Sequence, residues 1–225
     1  MNLFDIVGPV MVGPSSSHTA GAVKIGYVCK KLMAEPILKA EILLYGSFLA
    51  TGKGHGTDCA IVAGLLGMEP DDIRIPDSLS LAEEAGMDVI FGATDIKDAH
   101  PNSVLLKMQG ANGKYLEVVG ESLGGSLINI KSIDGLAANF SGDYPTLIVH
   151  NIDQPGHIAE VTSMLSHKSV NIAKLQLDRN CKGGEAVMII ECDQEVPAES
   201  LKWLEHLEGV TKVTYYSLCE EREVS

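Results

Sequence analysis

The chain has 225 residues, 45% of them hydrophobic, and its 17 Lys and Arg against 30 Asp and Glu leave a net charge of −13. That length buries a substantial core and suits two ordinary domains better than one large one, while the charge repels phosphate backbones and anionic lipid and argues against nucleic acid or a membrane surface as partner. No run approaches the ~18 apolar residues of a membrane span and no N-terminal segment has the order of a secretory signal, so a cytoplasmic protein is expected. The five cysteines at 29, 59, 181, 192 and 219 include no Cys-x-x-Cys pair. They form neither a disulfide framework nor a self-contained zinc or iron-sulfur motif, and no metal site is expected in this chain.

In chain order, residues 2–12 are short, apolar and broken by Gly8-Pro9, which reads as a lead-in packed on the core. Gly13-Pro14-Ser15-Ser16-Ser17-His18-Thr19-Ala20-Gly21 then opens a helix expected over 16–33, with Ala20, Val23, Tyr27, Val28 and Leu32 as its apolar stripe. A helix start leaves its first N–H groups without intrahelical partners and favours negative charge, so this turn can hold a carboxylate. One serine there would be an ordinary N-cap, but three hydroxyls and an imidazole exceed what a cap needs. Glu35-Pro36 ends the helix, since the residue before proline avoids the helical region.

Residues 37–45 read as a buried strand, followed by a Gly-rich loop over 46–58 and a short helix over 59–67. Gly52-Lys53 is not a phosphate-cradling loop, because five residues rather than four separate it from Gly46 and Gly54 replaces the required Ser or Thr. The loop nevertheless gathers Lys53, His55, Thr57 and Asp58. A short helix is expected over 79–85, then strands over 88–92, 104–109, 114–122 and 126–133, with His100-Pro101-Asn102-Ser103 as a rigid polar turn and Gly124-Gly125 as a bulge or close approach.

The polar, Gly-bearing stretch 134–145 reads as a domain joint. Beyond it strands at 146–151, 170–178, 185–191 and 210–216 alternate with helices at 155–167 and 198–207. That β-α-β-β-α-β order is ferredoxin-like. The expected class is therefore α+β, with one domain over 1–143 and a second over 146–225.

Two resemblances attach to these motifs. Asp153-Gln154-Pro155-Gly156-His157-Ile158 at a strand-to-helix turn, with Asn171-Ile172 opening the next strand, resembles the ACT domain. That resemblance implies pairing between copies and an effector site at Asp153, Gly156, His157 and Asn171. The first half resembles the beta chain of bacterial iron-sulfur-dependent L-serine dehydratase, on three stretches in order: 13–19, 51–58 and 100–103. A weaker element is Ser122-Leu123-Gly124-Gly125-Ser126, where the family pattern leads one to expect glycine at 126.

The second resemblance implies a lyase that deaminates L-serine to pyruvate and ammonia, with a [4Fe-4S] cluster ligated by a separate alpha chain. Ser15, Ser16, Ser17 and Thr19 are then expected to hold the substrate carboxylate, helped by Lys53, with His100 and Asn102 completing the pocket wall. His55 is the expected general base, Asp58 its orienting partner, and His18 a contact or second proton-handling group. Two rivals remain at this stage: a non-catalytic amino-acid-binding regulatory protein, and a zinc hydrolase built on His18, His55, His100 and Asp58, whose spacing lacks the short ligand pattern of strong metal sites.

Overall fold

The computed structural model describes residues 10–217; the lead-in at 2–9 and Cys219 lie outside the described residues. The chain divides into two compact units, residues 1–135 and 136–225.

The first unit opens with a π-helical turn, Ser16–Gly21, which runs directly into α1 (Ala22–Met33). α1 stops where Ala34 turns left-handed (φ 51°) ahead of Pro36. β1 (Ile37–Tyr45) follows, and then two helices, α2 (Gly46–His55) and α3 (Thr57–Leu65). The stretch 46–58 is thus helical rather than the expected loop: its backbone leaves the right-handed region only at Gly46 and Gly56, and Gly56 is the hinge that separates α2 from α3. α4 (Ser78–Glu84) precedes β2 (Asp88–Ala93), β3 (Asn102–Gly110), β4 (Tyr115–Gly124) and β5 (Leu127–Ile133).

These strands lie in the order β2-β1-β3-β4-β5, with β1 and β2 parallel and the remaining pairs antiparallel. Ala40 and Ile42 of β1, Val104, Leu106 and Met108 of β3, and Leu116 and Val118 of β4 alternate into the core, as a sheet covered on one face requires. α1 and α3 pack there through glycines. A Cβ at Gly26 would lie 2.3 Å from the Ile61 carbonyl oxygen, and one at Gly64 would lie 2.1 Å from that of Val23. The two backbones therefore touch, which only glycine permits at those positions.

The second unit begins with β6 (Leu136–Phe140), a strand inside what the sequence presents as a joint. β7 (Thr146–Ile152), α5 (His157–His167), β8 (Ile172–Arg179), β9 (Glu185–Cys192), α6 (Ala198–Glu205) and β10 (Val210–Tyr216) follow in β-α-β-β-α-β order. Their sheet is antiparallel, in the order β10-β7-β9-β8. Leu147, Val149, Met188 and Ile190 from the sheet meet Val161 and Leu165 of α5 and Leu204 of α6 in one apolar cluster. Against β8, the Lys174 ammonium and the Gln176 amide donate to the Asn139 carbonyl of β6.

Candidate active site

The site forms where the π-helical turn, α2, the 100–102 turn and the end of β4 meet in the first unit. A π turn widens the helix by one residue per turn and is a recurrent device for aiming side chains at functional positions. Ser15 caps it, its side chain accepting from His18 N at 3.4 Å. The turn is fastened from behind by Ser122 of β4, whose hydroxyl donates to the Ser17 carbonyl at 2.9 Å. The fit is close: a Cβ at Gly21 would meet Ser122 Oγ at 2.0 Å. At the register shift that ends the β4–β5 pairing, Gly125 N donates to Ser16 Oγ at 3.4 Å.

His18 is the centre of the arrangement, only 7% exposed. Its Nδ1 faces Ser17 Oγ at 3.3 Å and Ser15 Oγ at 3.4 Å, and those two hydroxyls lie 3.3 Å apart. Its Nε2 faces Thr51 Oγ1 at 3.0 Å and Ser47 Oγ at 3.4 Å, both from α2. Phe48 meets the ring edge-on with centroids 5.3 Å apart, and His55 lies against it at 4.8 Å. Burial lowers the His18 pKa, a hydrogen bond at Ser47 opposes that, and the neighbouring His55 lowers it again. The imidazole is accordingly neutral near pH 7.

His55 ends α2, and its Nδ1 lies 3.1 Å from the Thr51 carbonyl. A carbonyl only accepts, so Nδ1 carries the hydrogen and the neutral ring presents Nε2 as its basic atom. Asp58 does not orient this ring. Its Oδ1 accepts from Cys59 N at 2.9 Å, on the far side of the Gly56 hinge. Thr19 is also displaced from the expected role: it is buried under Gly13, where a Cβ would come within 2.2 Å of Thr19 Oγ1. Its buried hydroxyl has no hydrogen-bond partner among the described residues. Lys53 is exposed on α2.

The 100–102 turn docks on the start of α2. Pro101 O accepts from Ser47 N at 2.6 Å, satisfying an N–H that has no partner within the helix. Gly46, with φ at +58°, lets the two backbones approach, since a Cβ there would lie 2.4 Å from Pro101 O. His100 Nδ1 accepts from Asn102 N at 3.2 Å, and His100 N donates to the buried Glu121 at 3.1 Å. Glu121 also takes Asn129 Nδ2 and lies 3.4 Å from Lys131 Nζ. The 13–19 and 51–58 stretches therefore meet at His18, and the 100–103 stretch packs on the helix that carries Ser47 and Thr51.

Sequence reasoning missed Ser47, Thr51 and Ser122. Ser47, Thr51 and His55 recur at i, i+4, i+8, a helical signal hidden by reading the glycine-rich segment as a loop.

In the second unit, Asp153 Oδ2 takes Arg179 Nη1 at 2.6 Å and Gly183 N at 3.0 Å, which hold its pKa below the ordinary carboxyl value. Gly156 starts α5 with φ at +111°. His157 is buried, with Nδ1 3.8 Å from Glu160 Oε2 and its ring against Gly209. Asn171 is bonded instead to Asp193 and Gln194. Asp153, Gly156 and His157 thus share one turn, and the bonds of Asn171 lead elsewhere.

The described residues do not suit an iron-sulfur cluster. They contain no group of three or more His, Cys, Asp and Glu placed to hold a metal ion. Cys29 lies fully in the α1 core with its thiol pKa pushed up by burial, Cys192 is buried and raised to about 11, and Cys59 donates to the Pro76 carbonyl. Also among the described residues, no helix is long and apolar enough to cross a membrane.

The fold and site define an α+β protein with one buried imidazole, His18, caged by hydroxyls and a second, partly exposed imidazole, His55, lying against it. Residues 2–86 match the family model described as serine dehydratase beta chain. Over 200 residues the chain is 43% identical to the L-serine dehydratase beta chain of Peptoniphilus asaccharolyticus, covering 88% of this chain and 90% of that one. Over 213 residues it is 39% identical to a Bacillus subtilis (strain 168) protein named "Probable L-serine dehydratase, beta chain", covering 95% and 96%. L-serine dehydratase TdcG of Escherichia coli (strain K12) is 28% identical over 200 residues, 79% of this chain but 42% of that protein. The chain belongs to the L-serine dehydratase beta chain family.

Proposed function

We propose that this chain is the beta subunit of an L-serine ammonia-lyase that converts L-serine to pyruvate and ammonia together with an alpha chain. The observation that carries this reading is His18 inside its cage of Ser15, Ser17, Ser47 and Thr51 hydroxyls with His55 against its ring, drawn largely from the 13–19 and 51–58 stretches. The substrate carboxylate is taken at the first turn of the 16–21 helix, by its N–H groups and the Ser15, Ser16 and Ser17 hydroxyls, with Lys53 adding positive charge. His100 and Asn102 line the wall docked on Ser47.

His55 is the general base, its Nε2 accepting the α-proton while Nδ1 stays on the Thr51 carbonyl. That proton is weakly acidic, so donors fixed around the carboxylate supply stabilisation as carbanion character develops. His18 positions the hydroxyls on its Nδ1 side. Asp58 serves the start of α3 and does not belong to the reacting set. A [4Fe-4S] cluster is assigned to the alpha chain, and this chain contributes recognition and proton transfer. The partition is supported by coverage: the beta-chain relatives are matched over 90% and 96% of their length, whereas more than half of TdcG lies outside its match.

The second unit, in this reading, is a ferredoxin-like ACT domain over 146–225, following a substrate-binding domain over 1–143. It pairs copies of the chain and takes an effector at the turn bearing Asp153, Gly156 and His157 with Asn171. The catalytic assignment is tested by His55→Ala in the two-chain enzyme. Loss of the base is expected to lower kcat by roughly 10²- to 10⁴-fold, and turnover near that of the unmodified enzyme would contradict the assignment.

A further inference from the structure

Thr51 opens the 51–58 stretch but has been given no role so far, yet it is bonded to both imidazoles of the site. Its hydroxyl lies 2.9 Å from the Ser47 carbonyl, to which it donates, and 3.0 Å from His18 Nε2. Its carbonyl lies 3.1 Å from His55 Nδ1. A threonine hydroxyl has one hydrogen and two lone pairs. With that hydrogen committed to the Ser47 carbonyl, the oxygen can only accept from His18.

We infer that Thr51 is a positioning residue that fixes the two imidazoles in opposite tautomers, Nε2–H on His18 through its hydroxyl and Nδ1–H on His55 through its carbonyl. The unprotonated atoms are then Nδ1 of His18 and Nε2 of His55. This agrees with what surrounds them. Nδ1 of His18 faces Ser15 and Ser17, whose hydroxyls have hydrogens to donate to it. Ser47 Oγ, 3.4 Å from both Thr51 Oγ1 and His18 Nε2, is the competing donor. Its contact to His18 is the longer of the two. The lowered pKa of His18 keeps the ring singly protonated, so the choice between its nitrogens is meaningful near neutrality.

The arrangement gives each ring one role. His55 presents a basic lone pair, and His18 organises the serine hydroxyls without competing for the same proton. An i, i+4 threonine in a helix often merely back-bonds to the preceding turn. Here that back-bond is what removes the hydroxyl hydrogen from His18.

The tautomers follow from the geometry alone, whereas their catalytic consequence rests on the function proposed above, and the test separates the two. The full chain, labelled with 15N in its histidine rings, is observed by long-range 1H–15N correlation near pH 8, with His18→Gln and His55→Gln assigning the signals. The expected spectrum shows His18 protonated at Nε2 and His55 at Nδ1. In Thr51→Val, His18 is expected to lose its preference while His55, held by a carbonyl the substitution keeps, retains it; Thr51→Ser is expected to preserve both. In the two-chain enzyme, Thr51→Val should lower kcat by on the order of 10- to 100-fold with KM little changed, and Thr51→Ser should restore it. A His18 protonated at Nδ1 in the unmodified chain overturns the inference even if the valine variant fails to fold, and so does an unchanged His18 tautomer in a folded valine variant. Expected tautomers in a chain that supports no serine deamination would instead overturn the proposed function.

Discussion

Ser126 shows at the scale of one residue how a departure from a family pattern acquires a physical meaning. It occupies the left-handed region with φ at +67°, directly after Gly124 and Gly125, which are also left-handed. A side chain there costs roughly 1–2 kcal/mol, partly offset by the 0.5–1 kcal/mol of extra chain entropy that glycine loses on folding. Ser126→Gly is accordingly expected to stabilise the chain by up to about 1 kcal/mol, read as a higher midpoint in thermal unfolding; a lower midpoint would show that the serine hydroxyl contributes something the backbone argument omits. Other residues were legible only in part. Ser15, Ser17, His18 and His55 are singled out in the sequence as hydroxyls and imidazoles beside glycine, and the structure brings them together. Thr51 opens the 51–58 stretch, but the sequence does not show that it faces two rings at once, and the orienting role expected of Asp58 rests on proximity in sequence, whereas its carboxylate bonds to Cys59 N.

At the scale of elements, apolar periodicity located nearly every strand and helix, with two instructive failures. The stretch 46–58 has four glycines and reads as a loop, yet only Gly46 and Gly56 take conformations that require glycine. Gly52 sits in regular helix with Thr57 packed against it. β6 was hidden for the opposite reason: it is five residues long, and Asn139 within it is left-handed at φ 48°, so its buried pair Ala138 and Phe140 is too short a pattern to stand out. The contact between α1 and α3 also escapes a periodicity argument, because it is made by absent side chains. Gly64→Ala would force a methyl against the Val23 carbonyl, a backbone atom that cannot swing aside. The expected loss is about 1–3 kcal/mol or more, measured as a lower midpoint in denaturant. An unchanged midpoint would mean the helices can separate without cost.

For the whole molecule, the division of the chain into two compact units matches a division in chemistry. The residues that converge around His18 all belong to the first unit, and the second has a four-stranded sheet and an apolar cluster of its own. In the proposed reading, the imidazole pair and its hydroxyls bind the substrate carboxylate and move a proton. They cannot by themselves make a poor leaving group depart. That asymmetry is the physical reason for expecting a second chain, and it agrees with relatives that carry the beta-chain name along nearly their whole length. The most direct test is an anaerobic serine deamination assay with this chain alone, with its alpha chain alone, and with both. Pyruvate and ammonia are predicted only from the mixture; formation by this chain alone, or none by the reconstituted pair, would contradict the account.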